Sequence, residues 1–73
     1  MINQDIFDFW NANHVIQANH IGKYTHYYVV KNGVRTVFAR ISNSDNNTIE
    51  YYYDDNLYEE EQMLRIIKLK AFI

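Results

Sequence analysis

Three histidines, His14, His20 and His26, recur six residues apart. Metal ligands on one helix face need a spacing of three or four residues, and ligands on one strand face a spacing of two. Six residues of strand cover roughly 20 Å, so these histidines cannot share an ion unless the chain doubles back, and no metal is expected. The chain has no cysteine, which excludes thiolate zinc sites and disulfides alike. A carboxylate pair does acid–base work when burial raises one of its members. The pairs present here, Asp54-Asp55 and Glu59-Glu60-Glu61, lie in polar, solvated stretches. No Ser or Cys nucleophile stands beside a histidine, and with only Gly22 and Gly33 there is no phosphate-cradling loop. The expectation is a protein without enzymatic activity and without a cofactor.

The carboxylates are informative as charge. Asp45, Glu50, Asp54, Asp55, Glu59, Glu60 and Glu61 fall between Ile41 and Glu61 with no Lys or Arg among them, so that stretch carries −7. The remainder holds all seven Lys and Arg against Asp5 and Asp8, leaving a formal net charge of −2. Such asymmetry points to partner contact more than to fold. These seven acidic residues are the candidate binding surface, presenting phosphate-like charge to a protein partner with a basic surface. In style the chain resembles the small anti-CRISPR-like and anti-restriction-like proteins with which phages and mobile elements inhibit nucleic-acid-handling defence enzymes. They too are short, cysteine-free, acidic on one side and without catalytic motifs.

A second candidate site is aromatic. Tyr27, Phe38 and Tyr52 fall side by side across three expected strands, with Arg40 close by. Sheets that stack bases carry aromatics in this way, so the alternative reading is a nucleic-acid-binding β-sheet module.

The elements that position these residues follow from turn chemistry and periodicity. Asn32-Gly33 between Tyr27-Tyr28-Val29-Val30 and Val34-Arg35-Thr36-Val37-Phe38-Ala39 predicts a type I′ hairpin. That turn sets Tyr28 against Val37, Tyr27 against Phe38, His26 against Ala39 and Tyr24 against Ile41. Thr48 to Asp54 is rich in β-formers and predicts a third strand. Its register places Ile41 opposite Ile49, Arg40 opposite Glu50, Ala39 opposite Tyr51, Val37 opposite Tyr53 and Arg35 opposite Asp55. The core face would then carry Tyr24, His26, Tyr28, Val30, Val37, Ala39, Ile41, Ile49, Tyr51 and Tyr53, and the other, half-solvated face Tyr27, Val29, Val34, Thr36, Phe38, Arg40, Glu50 and Tyr52. Asp5 to Ala12 predicts a helix capped by Asn3, with Ile6, Phe9 and Trp10 at helical spacing. Val15-Ile16-Gln17-Ala18 is compatible with a short strand, and Gly22 marks a break. Asn56 with Glu59 three residues later resembles a capping box and predicts a helix from there towards the end, although Ile67 to Ala71 also alternates with period two.

The expected fold is a single α+β domain of order α-β-β-β-α, a three-stranded antiparallel sheet with helices on one face. Double-stranded-RNA-binding domains share that element order. That family places phosphate-contacting lysines at the start of its second helix, where this chain has Glu59-Glu60-Glu61, so no RNA contact of that kind is implied. No apolar run reaches the ~20 residues of a membrane span, and Met1-Ile2-Asn3-Gln4-Asp5 is unlike a signal peptide, so a cytoplasmic protein is expected. A core this small carries only roughly 3–5 kcal/mol of net stability. With no disulfide or metal to supplement it, a homodimer is expected through Tyr58, Ile66, Leu69 and Ile73, read as a second apolar strip on the last helix.

Overall fold

A computed structural model describes residues 2–12, 14–43 and 48–71 of the chain. Two helices, α1 (Gln4–Asn11) and α2 (Glu60–Ala71), enclose five strands in the sequence. The strands are β1 (Val15–Ile21), β2 (Tyr24–Lys31), β3 (Val34–Ser42), β4 (Ile49–Tyr53) and β5 (Asn56–Tyr58). They form one antiparallel meander in the order β1-β2-β3-β4-β5. The α+β class stands. The three-stranded sheet and the α-β-β-β-α order do not, because β1 and β5 add a strand at each edge.

Three hairpins build the meander, each closed by a two-residue loop. Asn32 and Gly33 have φ of 52° and 80°, the two left-handed positions that a type I′ turn requires. Gly22, at φ 56°, opens the turn between β1 and β2. Asp54 and Asp55, at φ 49° and 64°, form the same I′ geometry between β4 and β5, since Asp tolerates the left-handed region better than most side chains. That turn corrects the expected start of the second helix. Asn56 begins a strand, and Glu59 takes the cap. The Glu59 carbonyl accepts from the Met63 N–H at 2.9 Å, while its own N–H donates to Gln62 Oε1 at 3.0 Å. At the other end of the chain Asn3 caps α1 as expected, its Oδ1 accepting from the N–H groups of Asp5 at 2.9 Å and Ile6 at 3.4 Å. The helical reading of the C-terminal segment holds through Ala71.

The register of β3 is the decisive local feature. From Lys31↔Val34 to Tyr28↔Val37 the β2–β3 pairs follow the turn as expected, but the next pairs are Tyr27↔Ala39, His26↔Arg40 and Thr25↔Ile41. Phe38 is an extra residue, so Phe38 and Ala39 together oppose Tyr27. A bulge of this kind puts two successive side chains on one side of a strand. Phe38 and Ala39 are both buried accordingly, at 1% and 0% exposure. With Ile6, Val29, Tyr51 and Met63 they make the core, and Trp10, Ile16, Tyr27, Tyr53, Leu64, Ile66 and Ile67 pack around it. Trp10 lies with its ring centroid 5.7 Å from Phe38 and 5.9 Å from Tyr53.

Because of the bulge, the expected core face is correct in β4 and at Ala39 but inverted in β2 and at Val37. Val29, which was expected outside, is buried, and Tyr24, His26 and Tyr28 belong to the opposite face. The expected second apolar strip on α2 is not formed either. Tyr58 is in β5, Ile66 packs against the core, Leu69 is exposed, and Ile73 lies outside the described residues.

Candidate functional site

Residues directly opposite one another in an antiparallel pair point to the same face. The helices supply Ile6 and Met63 to the face that holds Val29, Ala39 and Tyr51, which leaves the other face of the sheet without a helix. Along β2 that open face carries Tyr24, His26 and Tyr28 as a continuous row, with ring centroids 6.2 Å and 6.3 Å apart. Two arginines from β3 lie over the row. The Arg40 guanidinium carbon is 4.4 Å from the centre of the Tyr24 ring, and that of Arg35 is 5.3 Å from the centre of the Tyr28 ring. Arginine over an aromatic face is attracted by the ring quadrupole and held flat.

Glu50 of β4 fixes Arg40 from the far side. Arg40 Nε donates to Glu50 Oε1 at 3.1 Å and Nη2 donates to the same oxygen. This hydrogen bond raises the Arg40 pKa further above its already high ordinary value, against the opposing effect of burial. The face also exposes large aliphatic side chains: Val15 opposite Val30, Ile21 opposite Tyr24, and Leu57 opposite Tyr52. Their exposures are 64%, 50% and 52%. His26 Nδ1, in the middle of the row, is buried and has no hydrogen-bond partner. A face of tyrosines, pinned arginines and uncovered aliphatics is equipped to bind. Among the described residues no three His, Cys, Asp or Glu side chains come together as a metal site, and no helix is long and apolar enough to cross a membrane.

The two sites expected from the sequence are partly dispersed. Arg40 and Tyr52 are on the open face, through the pairs Arg40↔Glu50 and Tyr52↔Leu57. Tyr27 and Phe38 are on the helix side, 6.2 Å apart edge to face. The bulge moved β2 out of phase with the sequence-based register, so the four do not form one row. Of the acidic residues, Glu50 is neutralised by Arg40. Asp54 and Asp55 form the β4–β5 turn, Glu59 caps α2, and Glu60 and Glu61 make its first turn. The strand β5 separates the two groups by roughly 10 Å, so they line one margin of the sheet. Asp45 lies outside the described residues. Among the described residues Arg40–Glu50 is the one ion pair, so the other five described carboxylates have no cationic partner.

The bulge has a further effect between the β2–β3 and β4–β5 hairpins. The β3–β4 ladder covers Ile41↔Ile49, Arg40↔Glu50 and Ala39↔Tyr51 as expected and then stops, so the expected pairs Val37–Tyr53 and Arg35–Asp55 do not form. The two hairpin tips diverge and leave an open groove of about 820 Å³. Trp10 and Phe38 line it with Lys31 and Arg35 from one hairpin and Asp54 and Asp55 from the other.

Sequence reasoning missed Tyr24, His26 and Tyr28 as surface groups, and Val15, Ile21 and Leu57 with them. The alternation of β2 was legible, but which of its two faces is open depends on the bulge. Comparison with known protein families, with curated proteins and with solved structures gives no match. The open face is therefore interpreted from its own chemistry.

Proposed function

We propose that this chain is a cytoplasmic, non-enzymatic interaction protein that binds a protein partner through the helix-free face of its sheet. The observation that carries the reading is the row Tyr24-His26-Tyr28 with Arg35 and Arg40 laid on it, beside uncovered Val15, Ile21 and Leu57. Tyr and Arg are the side chains that dominate protein-interface energetics. Exposed aliphatic residues gain from burial against protein and gain little from a phosphate backbone. The carboxylates at the β4–β5 margin form a charged rim, and a rim of that sign selects a partner with basic groups around its contact surface. A basic, nucleic-acid-handling protein is such a partner. Occluding its surface is the inhibitory role we assign to this chain, as expected of a protein carried by a phage or mobile element.

A second reading has one specific observation in its favour. Tyr24 and Tyr28 with arginines at hand also form a base-stacking platform, so a single-stranded nucleic acid is the alternative ligand. Partner capture from host lysate with immobilised protein, beside a gel shift with RNA and DNA at low salt, distinguishes the two. The protein reading requires one specific captured band that Tyr28→Ser and Arg35→Gln remove and Lys68→Gln, on α2, retains. A gel shift that the same face variants remove, with no captured protein, would replace it by the nucleic-acid reading.

A further inference from the structure

The two edges of the sheet are defended very differently. β5 is three residues long, and Asp54, Asp55, Glu59, Glu60 and Glu61 flank it, so a second strand approaching it meets charge. β1 at the other edge runs for seven residues, Val-Ile-Gln-Ala-Asn-His-Ile, six of which are exposed. It contains no Asp, Glu, Lys, Arg or Pro, and its register against β2 is unbroken from Val15↔Val30 to Ile21↔Tyr24. Natural sheets protect an edge with charge, proline, a bulge or shortness, and β1 has none of these. We propose that β1 pairs antiparallel with β1 of a second copy of this chain, joining two sheets into one of ten strands across a two-fold axis at Ala18.

The register follows from which backbone groups are free. The two-residue turn makes Ile21↔Tyr24 a hydrogen-bonded pair, and hydrogen-bonded and non-bonded pairs alternate from there. His20, Ala18 and Ile16 are thus the non-bonded members, and their N–H and C=O groups point away from β2. Centring the axis on Ala18 sets Ala18 against Ala18 of the second copy and Ile16 against His20. All these free groups then pair, giving about six backbone hydrogen bonds. The same register sets Val15 of one copy against Ile21 of the other on the open face. Both are exposed large apolar side chains, at 64% and 50%, and each would shield one flank of the other while its outward side stays on the joined open face. Gln17 meets Asn19 beside them, and the smallest side chain of the strand, Ala18, meets itself at the axis. A strand without charge pairs with itself without repulsion. The open faces of the two copies would then form one continuous surface, left free for a partner.

Sedimentation of the full chain at high micromolar concentration, with amide hydrogen exchange read residue by residue, tests this. The expected result is a dimer in which the amides of Ile16, Ala18 and His20 exchange at least about tenfold more slowly than in a monomeric variant. Ala18→Pro supplies that variant, since it removes a donor that points away from β2 and leaves the β1–β2 ladder whole. If proline perturbs the fold, Ala18→Lys sets like charges opposite each other at the axis and serves in its place. A wild-type monomer would overturn the proposal. So would a dimer that leaves those three amides unprotected, or one that survives both substitutions, because it would use another surface. Partner capture by the open face is measured separately, so its failure and the failure of edge pairing are distinguishable.

Discussion

The backbone N–H of Asn3 donates to the phenol oxygen of Tyr51 at 3.1 Å. The same hydroxyl donates to Glu60 Oε1 at 3.4 Å. One fully buried tyrosine in the central part of the sheet thus ties the start of α1 to the start of α2, residues far apart in the chain. Tyr51→Phe keeps the ring and leaves the Asn3 N–H without its acceptor, and should cost roughly 1–2 kcal/mol in denaturant unfolding.

The same hydroxyl gives an alkaline signature. Burial raises the Tyr51 pKa above its ordinary value of 10.0, against the lowering effect of the Asn3 N–H, and nearby Glu60 raises it further. Above about pH 10 the unfolded chain releases this proton before the folded one does, so the unfolded state is favoured as pH rises towards the folded value. Unfolding midpoints measured from pH 9 upward should therefore fall less steeply for Tyr51→Phe than for the wild type; parallel curves would show that the phenol is not held protonated.

Gly33 should tolerate no β-branched residue. A Cβ added there would meet no atom within 4 Å, so the residue's φ of +80° is the only obstacle. Gly33→Val should lower stability by more than about 1 kcal/mol through backbone conformation alone. An unchanged melting temperature would mean that the turn accommodates a different geometry.

Much of this architecture is legible in the sequence. Asn32-Gly33 announces its hairpin because two left-handed positions in succession demand those residues, and Asn3 announces its helix by capping chemistry. Asp54-Asp55 does the same work as Asn-Gly with weaker preference, and Asn56 with Glu59 imitates a helix start, so β5 was hidden behind a false cap. β1 carries apolar residues at Val15, Ile16, Ala18 and Ile21, which match neither period well because an edge strand needs only part of one face buried. Phe38 is the costly case. Nothing in Val37-Phe38-Ala39 signals an extra residue, since the bulge is fixed by how Phe38 fits against Trp10 and Tyr27. One residue of slip exchanges the faces of a strand, and it moved the aromatic row of the open face from Tyr27 to its neighbours Tyr24, His26 and Tyr28.

Arg40 should matter more for binding than for stability. The Arg40 and Glu50 side chains are 27% and 36% exposed, where solvent screening keeps an ion pair below about 1 kcal/mol. A double-mutant cycle with Arg40→Gln and Glu50→Gln should give a coupling energy in that range, while Arg40→Gln weakens partner capture by freeing the Tyr24 ring and removing a contact.

The carboxylate margin should act through charge. Asp54→Asn, Glu59→Gln and Glu60→Gln together remove three negative charges without adding repulsion. Glutamates in a first helical turn each contribute roughly 0.3–1 kcal/mol against the helix dipole, so a modest loss of stability accompanies the change. Capture of the partner should weaken and lose most of its salt dependence. Capture with unaltered affinity and unaltered salt dependence would remove the margin from the interface.

The central claim is that the helix-free face is the binding surface, and site-specific photo-crosslinking in host cells tests it most directly. A photoreactive residue in place of Tyr28 or Tyr52, both on the open face, should join the chain to one partner of defined mass. The same group in place of Lys68 or Leu69 on α2 should give no such product. A partner captured from α2 and from neither tyrosine would contradict the account and place the interface on the helical side of the molecule.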